Sequence, residues 1–429
     1  MVWIEIADEV GRASSRSKLS LYSTSAFRIK EVYKMDQNVK LFVLCLVELF
    51  IGIQVGIGPM IPLFFTSIGI SVTVWGDLAA VSALGMLFFE PLWGWLSDRF
   101  GRIMFIAGSL LVGALIMPMY SFTFFVPFFF ILQFFRGVFM VMAAPSTRAL
   151  VSDFSSPEKL GKAMGLLWAS LRLGGAIGII FASYVAENWT FAISFYYCSV
   201  IFFVGGILAL FVLKKVTSQN AINTMHIEKE KTSYLQSLKR LSKMKTVLIL
   251  FICAIVVLLQ TRLITDFVPI YAVQLLGAST VMVGIVQAVF AGLSVLLFPM
   301  CGIISDKVGR KRKHTVILIG FSACCSASLL YTFTRDIYQL LLITAGVSIG
   351  LSLLAPSLLA FLSNIVPKDV QGATMGLYGG FENLGGMIAP LLYATVWNAF
   401  SPSFIFYVCS LTQIFGIILA FALKEKRLG

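Results

Sequence analysis

The stretch Gly94-Trp95-Leu96-Ser97-Asp98-Arg99-Phe100-Gly101-Arg102 is wedged between two apolar runs, each long enough to cross a bilayer. One acid, two arginines and two glycines fill the gap. The pattern returns 208 residues later as Gly302-Ile303-Ile304-Ser305-Asp306-Lys307-Val308-Gly309-Arg310-Lys311. Both copies read G-x-x-S-D-[RK]-x-G-R. A short charged hairpin repeated half a chain apart points to two copies of one membrane-embedded bundle.

Composition agrees. Of 429 residues, 59% are hydrophobic and only 12% charged, with a mean hydropathy of +0.92. Soluble domains carry about 25% charged residues, so this chain is built to be solvated by lipid. Roughly twenty apolar residues cross a bilayer as a helix. Runs of that kind fall near 40–65, 74–96, 103–121, 124–148, 162–186, 190–213, 246–271, 280–303, 314–333, 337–361, 371–395 and 401–423. The expectation is an all-α polytopic membrane protein of twelve transmembrane helices. It divides into a tail (1–39), a six-helix bundle (40–213), a linker (214–245), a second six-helix bundle (246–423) and a short C-terminal tail (424–429). The outer loops are too short for a domain of their own. The linker fits either an amphipathic helix on the inner leaflet or a solvated tether. The first tail lacks the apolar core of a signal peptide and reads as disordered; Met1 and Met35 both fit as starts.

The net charge of +13 is distributed in a telling way. Only Arg335 falls on the outer side of these spans, and Arg136, Arg172 and Arg262 fall inside them; the other basic residues share one side. That bias places both termini in the cytoplasm and the chain in the cell membrane, and it argues against a nucleic-acid partner. The seven cysteines lie in or beside apolar runs with no C-x-x-C, as packing residues. With only His226 and His314, neither a metal site nor a cofactor is expected. Gly346-Val347-Ser348-Ile349-Gly350 spells G-x-S-x-G inside an apolar span, without the strand, turn or histidine that a nucleophile needs. No G-x-x-x-x-G-K-[ST] is present to hold ATP. No enzyme is expected.

The halves align beyond the hairpins. An offset of 211 residues superposes Pro145-Ser146 on Pro356-Ser357, Met164-Gly165-Leu166 on Met375-Gly376-Leu377, and Leu173-Gly174-Gly175 on Leu384-Gly385-Gly386. Glycines spaced by four, Gly161 with Gly165 and Gly174 with Gly178, predict close helix packing in the fifth span, as do Gly385 and Gly386 in the eleventh.

With two hairpins at matching positions, the chain resembles the major facilitator superfamily of secondary transporters over about residues 40 to 423. Ile103 departs from that family's pattern, where a second basic residue is commoner. The resemblance implies two pseudo-symmetric six-helix bundles related by an axis along the membrane normal, substrate bound between them, and a monomer. It also implies that Gly94, Asp98, Arg99, Gly101 and Arg102 form a conformational gate, with Gly302, Asp306, Gly309 and Arg310 as the second copy. In that gate Asp98 meets the positive N-terminal end of the eleventh span when the outer side is closed, and Arg102 or Arg99 pairs with Asp153. The family's antiporters often end the fifth span with G-P-x-x-G-G; here Gly178-Ile179 stands instead, and Ala389-Pro390 puts the proline in the other half.

Ionisable groups at mid-bilayer are costly and usually functional. Glu48 in the first span and Arg136 in the fourth both fall near mid-depth, and Arg136 matches an arginine that the family links to proton transfer. A Glu48–Arg136 pair would offset the burial of each, and helix movement or substrate arrival would let Glu48 take or release a proton. Arg262 and Asp266, spaced i, i+4 on the seventh span, fit a self-paired structural ion pair or a substrate site. Glu90, Arg172 and Glu382 are further buried charges, and Arg172 with Glu382 would neutralise each other across the halves. Trp168 and Tyr378 are candidates for an amphipathic-substrate pocket.

The expectation is a proton-coupled secondary transporter that exports amphipathic or drug-like small molecules by alternating access. The alternatives are proton-coupled uptake of a metabolite such as an organic acid, with Arg136 or Arg262 on a carboxylate, and a non-transporting receptor or sensor.

Overall fold

A computed structural model describes residues 37–122, 125–155, 160–217, 244–307, 313–366 and 371–423. The expectations for the first tail, the linker, the last residues, Gly309 and Arg310 fall outside that set. Among the described residues all regular structure is helical. The first span is Gln37–Gly56 followed by Met60–Ser67; the second is Val72–Phe100 and the third Arg102–Met119. The fourth is Val126–Met140 with Ala143–Phe154, the fifth Leu160–Asn188, and the sixth Phe191–Thr217. The seventh joins Lys245–Arg262 to Val268–Leu276 through a π-helical turn, Leu263–Phe267. Thr280–Lys307, Lys313–Tyr331, Ile337–Ile365, Gln371–Ala399 and Phe404–Ala422 complete the set.

Eleven of these are both long and apolar enough to cross a membrane. The eleventh span, Gln371–Ala399, has the length at 29 residues but is less apolar, because Glu382 and Asn383 sit side by side among glycines. Its polarity belongs to the site described below.

Proline sets the three interruptions. In an α-helix the N–H of residue 59 would bond to the carbonyl of Val55, but Pro59 has no N–H. Gly58 N–H donates to Val55 O instead, at 3.0 Å, and the helix tightens and restarts. In the fourth span Pro145 leaves Val141 O to Ala144 N–H, at 3.3 Å, by the same logic. Pro269 does the opposite: the turn before it widens, so that Val268 N–H reaches back to Leu263 O. The carbonyl of Ile264, freed by that widening, accepts from Gln287 Nε2 at 2.7 Å. Pro59 and Pro269 stand at equivalent places in the two halves. Pro145 and Pro356 do too, yet the tenth span runs unbroken through Pro356.

The halves meet along two seams, second span against eleventh and fifth against eighth. At the short-loop side the seams are tight. A Cβ on Gly76 would strike Ala394 and the Pro390 carbonyl, and one on Gly284 would strike Ser183. The eighth span's first turn is tied to the fifth by Val281 N–H, which donates to Glu187 Oε2. Beneath this side Phe64, Phe65, Tyr120, Phe129 and Phe195 form a plug of ring contacts. Toward the basic side the seams open. Added Cβ atoms on Gly165, Gly376 and Gly380 would touch nothing within 4 Å, and one on Gly94 would meet only Pro145 of its own half. Trp95 is 58% exposed. The basic side of the first half also keeps its own apolar core around Leu44, Ile106 and Leu213, separate from the one that joins both halves. The molecule is closed at the short loops and open at the basic end.

Candidate functional site

The first and fifth spans run parallel in near backbone contact. A Cβ on Gly52, Gly56, Gly174 or Gly178 would run into the opposite helix's backbone. Gly174 and Gly178 therefore stand at the close approach of the two helices. Gly165 does not: the fifth span flares away there on the open side. Gly161 lies at a helical position whose side-chain surroundings are outside the described set. In the eleventh span Gly385 packs on the Ile255 backbone of the seventh, but Gly386 makes room for the Arg262 guanidinium, 3.5 Å from where its Cβ would be.

That tight packing fixes Glu48 at the depth of Leu171 and Arg172. Glu48 is buried, and its Oε2 has no hydrogen-bond partner. It borders a cavity of about 180 Å³ whose wall includes Met86, Thr147, Arg148, Leu167, Trp168 and Leu171. The cation facing Glu48 is Arg148, with Thr147 beside it. The expected Glu48–Arg136 pair is not formed. The two residues lie at different depths, since Arg136 stands twelve residues, or about 18 Å of helix, before Arg148.

Arg148 organises the cluster. Its Nη1 is 3.4 Å from Glu90 Oε1, and its Cζ lies 5.8 Å from the centre of the Trp168 ring. Glu90 Oε2 accepts from Asn383 Nδ2 at 2.7 Å, which links the second span to the eleventh and the first half to the second. Glu382 faces Arg148 and Glu90. Tyr378 is buried near Glu382 with its hydroxyl unpartnered. The expected Arg172–Glu382 pair is absent, because Arg172 turns into the fifth–eighth seam and stacks on Phe298 at 5.5 Å.

Arg136 belongs to a second group nearer the short loops, with Tyr120, Arg262 and Asp266. Arg262 Nη1 is 3.5 Å from Asp266 Oδ2, and Thr265 donates to Asp266 Oδ1 at 2.9 Å. The i, i+4 pairing within the seventh span is thus present, across the π turn. Arg136 lines a cavity of about 10 Å³ with Gln54, Gly113 and Met117.

At the basic end Arg102 bridges Asp98, at 3.1 Å, and Asp153. Arg99 stacks on Trp95 instead. Among the described residues Asp98 has no partner on the eleventh span although the short-loop side is closed; its side chain is 65% exposed. The reason is geometric. Closing the short-loop ends spreads the basic ends, so a contact between basic ends belongs to the opposite state. Gly302 and Asp306 lie in the eighth span's last turns, where side chains are outside the described set.

The sequence profile of the Major Facilitator Superfamily matches residues 42–390, with a second match over 312–428. The chain belongs to the Major Facilitator Superfamily. Multidrug resistance protein 2 of Bacillus subtilis is 25% identical over 400 residues, covering 92% of this chain and 97% of the relative. The multi-drug resistance efflux pump PmrA of Streptococcus pneumoniae is 24% identical over 375 residues, covering 84% and 89%. A solved POT family transporter shares the fold with a TM-score of 0.73 at 14% identity, covering 90% of this chain and 96% of that one. A bacterial homologue of the lysosomal transporter Spinster, solved inward-facing and unoccupied, gives 0.72 at 12% identity, covering 90% and 97%. As a superfamily member this is a multi-pass membrane transporter for small molecules.

Sequence reasoning missed Arg148. With the fourth span read as ending at 148, it counted as a loop cation, whereas the helix continues to Phe154. The missed signal was the apolar set Leu150, Val151 and Phe154 beyond the weakly polar run Ala143-Ala144-Pro145-Ser146-Thr147, which is buried and carries the helix on to Phe154.

Proposed function

We propose that this protein exports amphipathic organic cations from the cytoplasm in exchange for protons. Glu48 carries the reading: a buried carboxylate oxygen without a partner, at the edge of a cavity walled by the Trp168 ring. A ligand cation supplies the missing partner, and its apolar body packs on the indole. Counted formally, Glu48, Glu90 and Glu382 against Arg148 leave two net acids at this level, which favours a cation over an anion. A proton and a cation compete for the same carboxylate, and that competition is the coupling. Relatives named for multidrug resistance and efflux support the direction.

The basic side is the cytoplasmic one by the positive-inside bias, in the plasma membrane with both termini inside. The site then opens to the compartment from which an exporter loads. The bundles 40–213 and 246–423 rock about the linker as a monomer that transports and catalyses no reaction. Uptake of an organic acid is disfavoured, because Arg262 is already tied to Asp266.

The test is ethidium movement in everted vesicles under an imposed pH gradient. Wild-type protein accumulates the dye. Glu48→Gln loses gradient-driven accumulation and binds ethidium about tenfold more weakly. Accumulation by Glu48→Gln at the wild-type rate sinks the role of Glu48.

A further inference from the structure

The indole that would receive a cargo already holds a cation. The Arg148 guanidinium lies 5.8 Å from the centre of the Trp168 ring, within the range of a cation–π contact. Arg148, Trp168 and Glu48 all line the same cavity of about 180 Å³, so that contact is part of its wall. A guanidinium is planar, cationic and weakly hydrated, the features that an amphipathic organic cation brings to a ring and a carboxylate. The fourth span supplies Arg148 and the fifth Trp168. The empty site is thus filled from within the first half.

Arg148 also has somewhere else to go. Its Nη1 is 3.4 Å from Glu90 Oε1, a long contact, and 42% of its side chain is exposed. Glu90 is bonded through its other oxygen to Asn383 of the eleventh span. Glu382, next to Asn383, faces Arg148 from the second half and has no ion-pair partner among the described residues. Two acids from opposite halves therefore stand beyond the arginine, on the side away from its indole.

We infer that Arg148 is a tethered stand-in for the cargo: it holds the Trp168 subsite while the carrier is empty, and an arriving organic cation displaces it toward Glu90 and Glu382. This deepens the cation reading above and rests on it. The displacement turns a contact within one half, fourth span on fifth, into a contact between halves, fourth span on eleventh. A cation drawn between acids of opposite halves pulls the open ends together. With no cargo the arginine stays on the indole, and the mouth stays open.

Ethidium binding to the purified full chain tests the displacement. Arg148→Gln should bind ethidium about three- to tenfold more tightly, because no competing occupant has to leave, while its transport in everted vesicles falls. Loss of a nearby positive charge would also tighten binding, so the comparison is repeated in Trp168→Leu. There Arg148→Gln should gain less than about twofold, since the contested ring is gone. Equal gains in both backgrounds overturn the inference and leave a plain charge effect. Weaker binding by Arg148→Gln overturns it too and makes the arginine part of the binding wall.

A second readout keeps Arg148 in place and stands even if Arg148→Gln cannot be purified. An added Cβ on Gly376 of the eleventh span meets nothing within 4 Å, so a Gly376→Cys reporter is open to maleimide. Saturating ethidium should slow its labelling about fivefold as the mouth draws shut. In Glu382→Gln, which removes the arginine's acceptor in the second half, saturating dye should leave labelling within about twofold of the dye-free rate. Equal slowing with and without Glu382 overturns the inference, as does ethidium binding with no slowing in the parent, and both leave the cation reading standing. A wild type that binds no ethidium overturns both readings.

Discussion

Glu48, Glu90 and Arg148 sit where the two halves part, whereas Arg136, Arg262 and Asp266 sit where they close. Both groups mix arginine with carboxylate at membrane depth, and their surroundings differ. The first borders a cavity of about 180 Å³ and leaves a carboxylate oxygen unpartnered. The second is packed beside a space of about 10 Å³, with Asp266 held from two sides by Arg262 and Thr265. Identical chemistry thus serves different ends. An acid with a vacant bond next to open space recognises a ligand, and an acid bonded from two sides in a closed seam holds a conformation.

Arg148→Ala should break this contrast most severely. It removes the one cation facing Glu48, Glu90 and Glu382 and leaves the buried Glu48 carboxylate beside two half-buried ones with no counter-charge. Dye transport should fall at least about a hundredfold, with protein still in the membrane by immunoblot. Arg136→Ala should lose less, because Asp266 keeps Arg262. If Arg136→Ala proves the worse of the two, the assignment of roles is reversed.

Asp266→Asn comes next. It leaves Arg136 and Arg262 facing each other across the short-loop closure, which weakens that closure without touching the cavity. Maleimide should label an Ala394→Cys reporter, buried in the seam against Gly76, about three- to tenfold faster than in the parent. Unchanged labelling would make the second group a passive ion pair.

The smallest effect is expected at Asp153. Its bond to Arg102 is exposed, and exposed ion pairs contribute about 0–1 kcal/mol. Asp153→Asn should leave the thermal midpoint in detergent within a few degrees of wild type. A large drop would show that the hairpin stabilises the open state more than its exposure suggests.

The spans were legible because lipid demands about twenty apolar residues in a row, and that demand is written locally. The Arg262–Asp266 pair was legible for a similar reason, since one helix sets its spacing. The Asp153–Arg102 pair came from the resemblance. Partners across helices were not legible. Glu48 is a buried acid as its place in the span suggests, but its partner is not Arg136, because depth along the fourth span depends on where that helix ends, at Phe154 rather than 148. Arg172 was matched to Glu382 on charge alone, while its rotation about the fifth span sends it into the seam with Phe298. Asp98 was given a contact that belongs to the other state of the cycle.

The glycine contact between the first and fifth spans has a mechanical consequence. With Gly52, Gly56, Gly174 and Gly178 set backbone against backbone, no flexible side chain lies between the helices to absorb a displacement. A pull on Glu48 is transmitted to the fifth span as through a rigid strut. That span carries Trp168 and Arg172 at one level and, four turns on, Glu187, whose carboxylate holds the first turn of the eighth span. Cargo seated at one end of the strut therefore loads the fastening at the other, so occupancy in the open mouth is felt at the closed one without any signal passing through the space between.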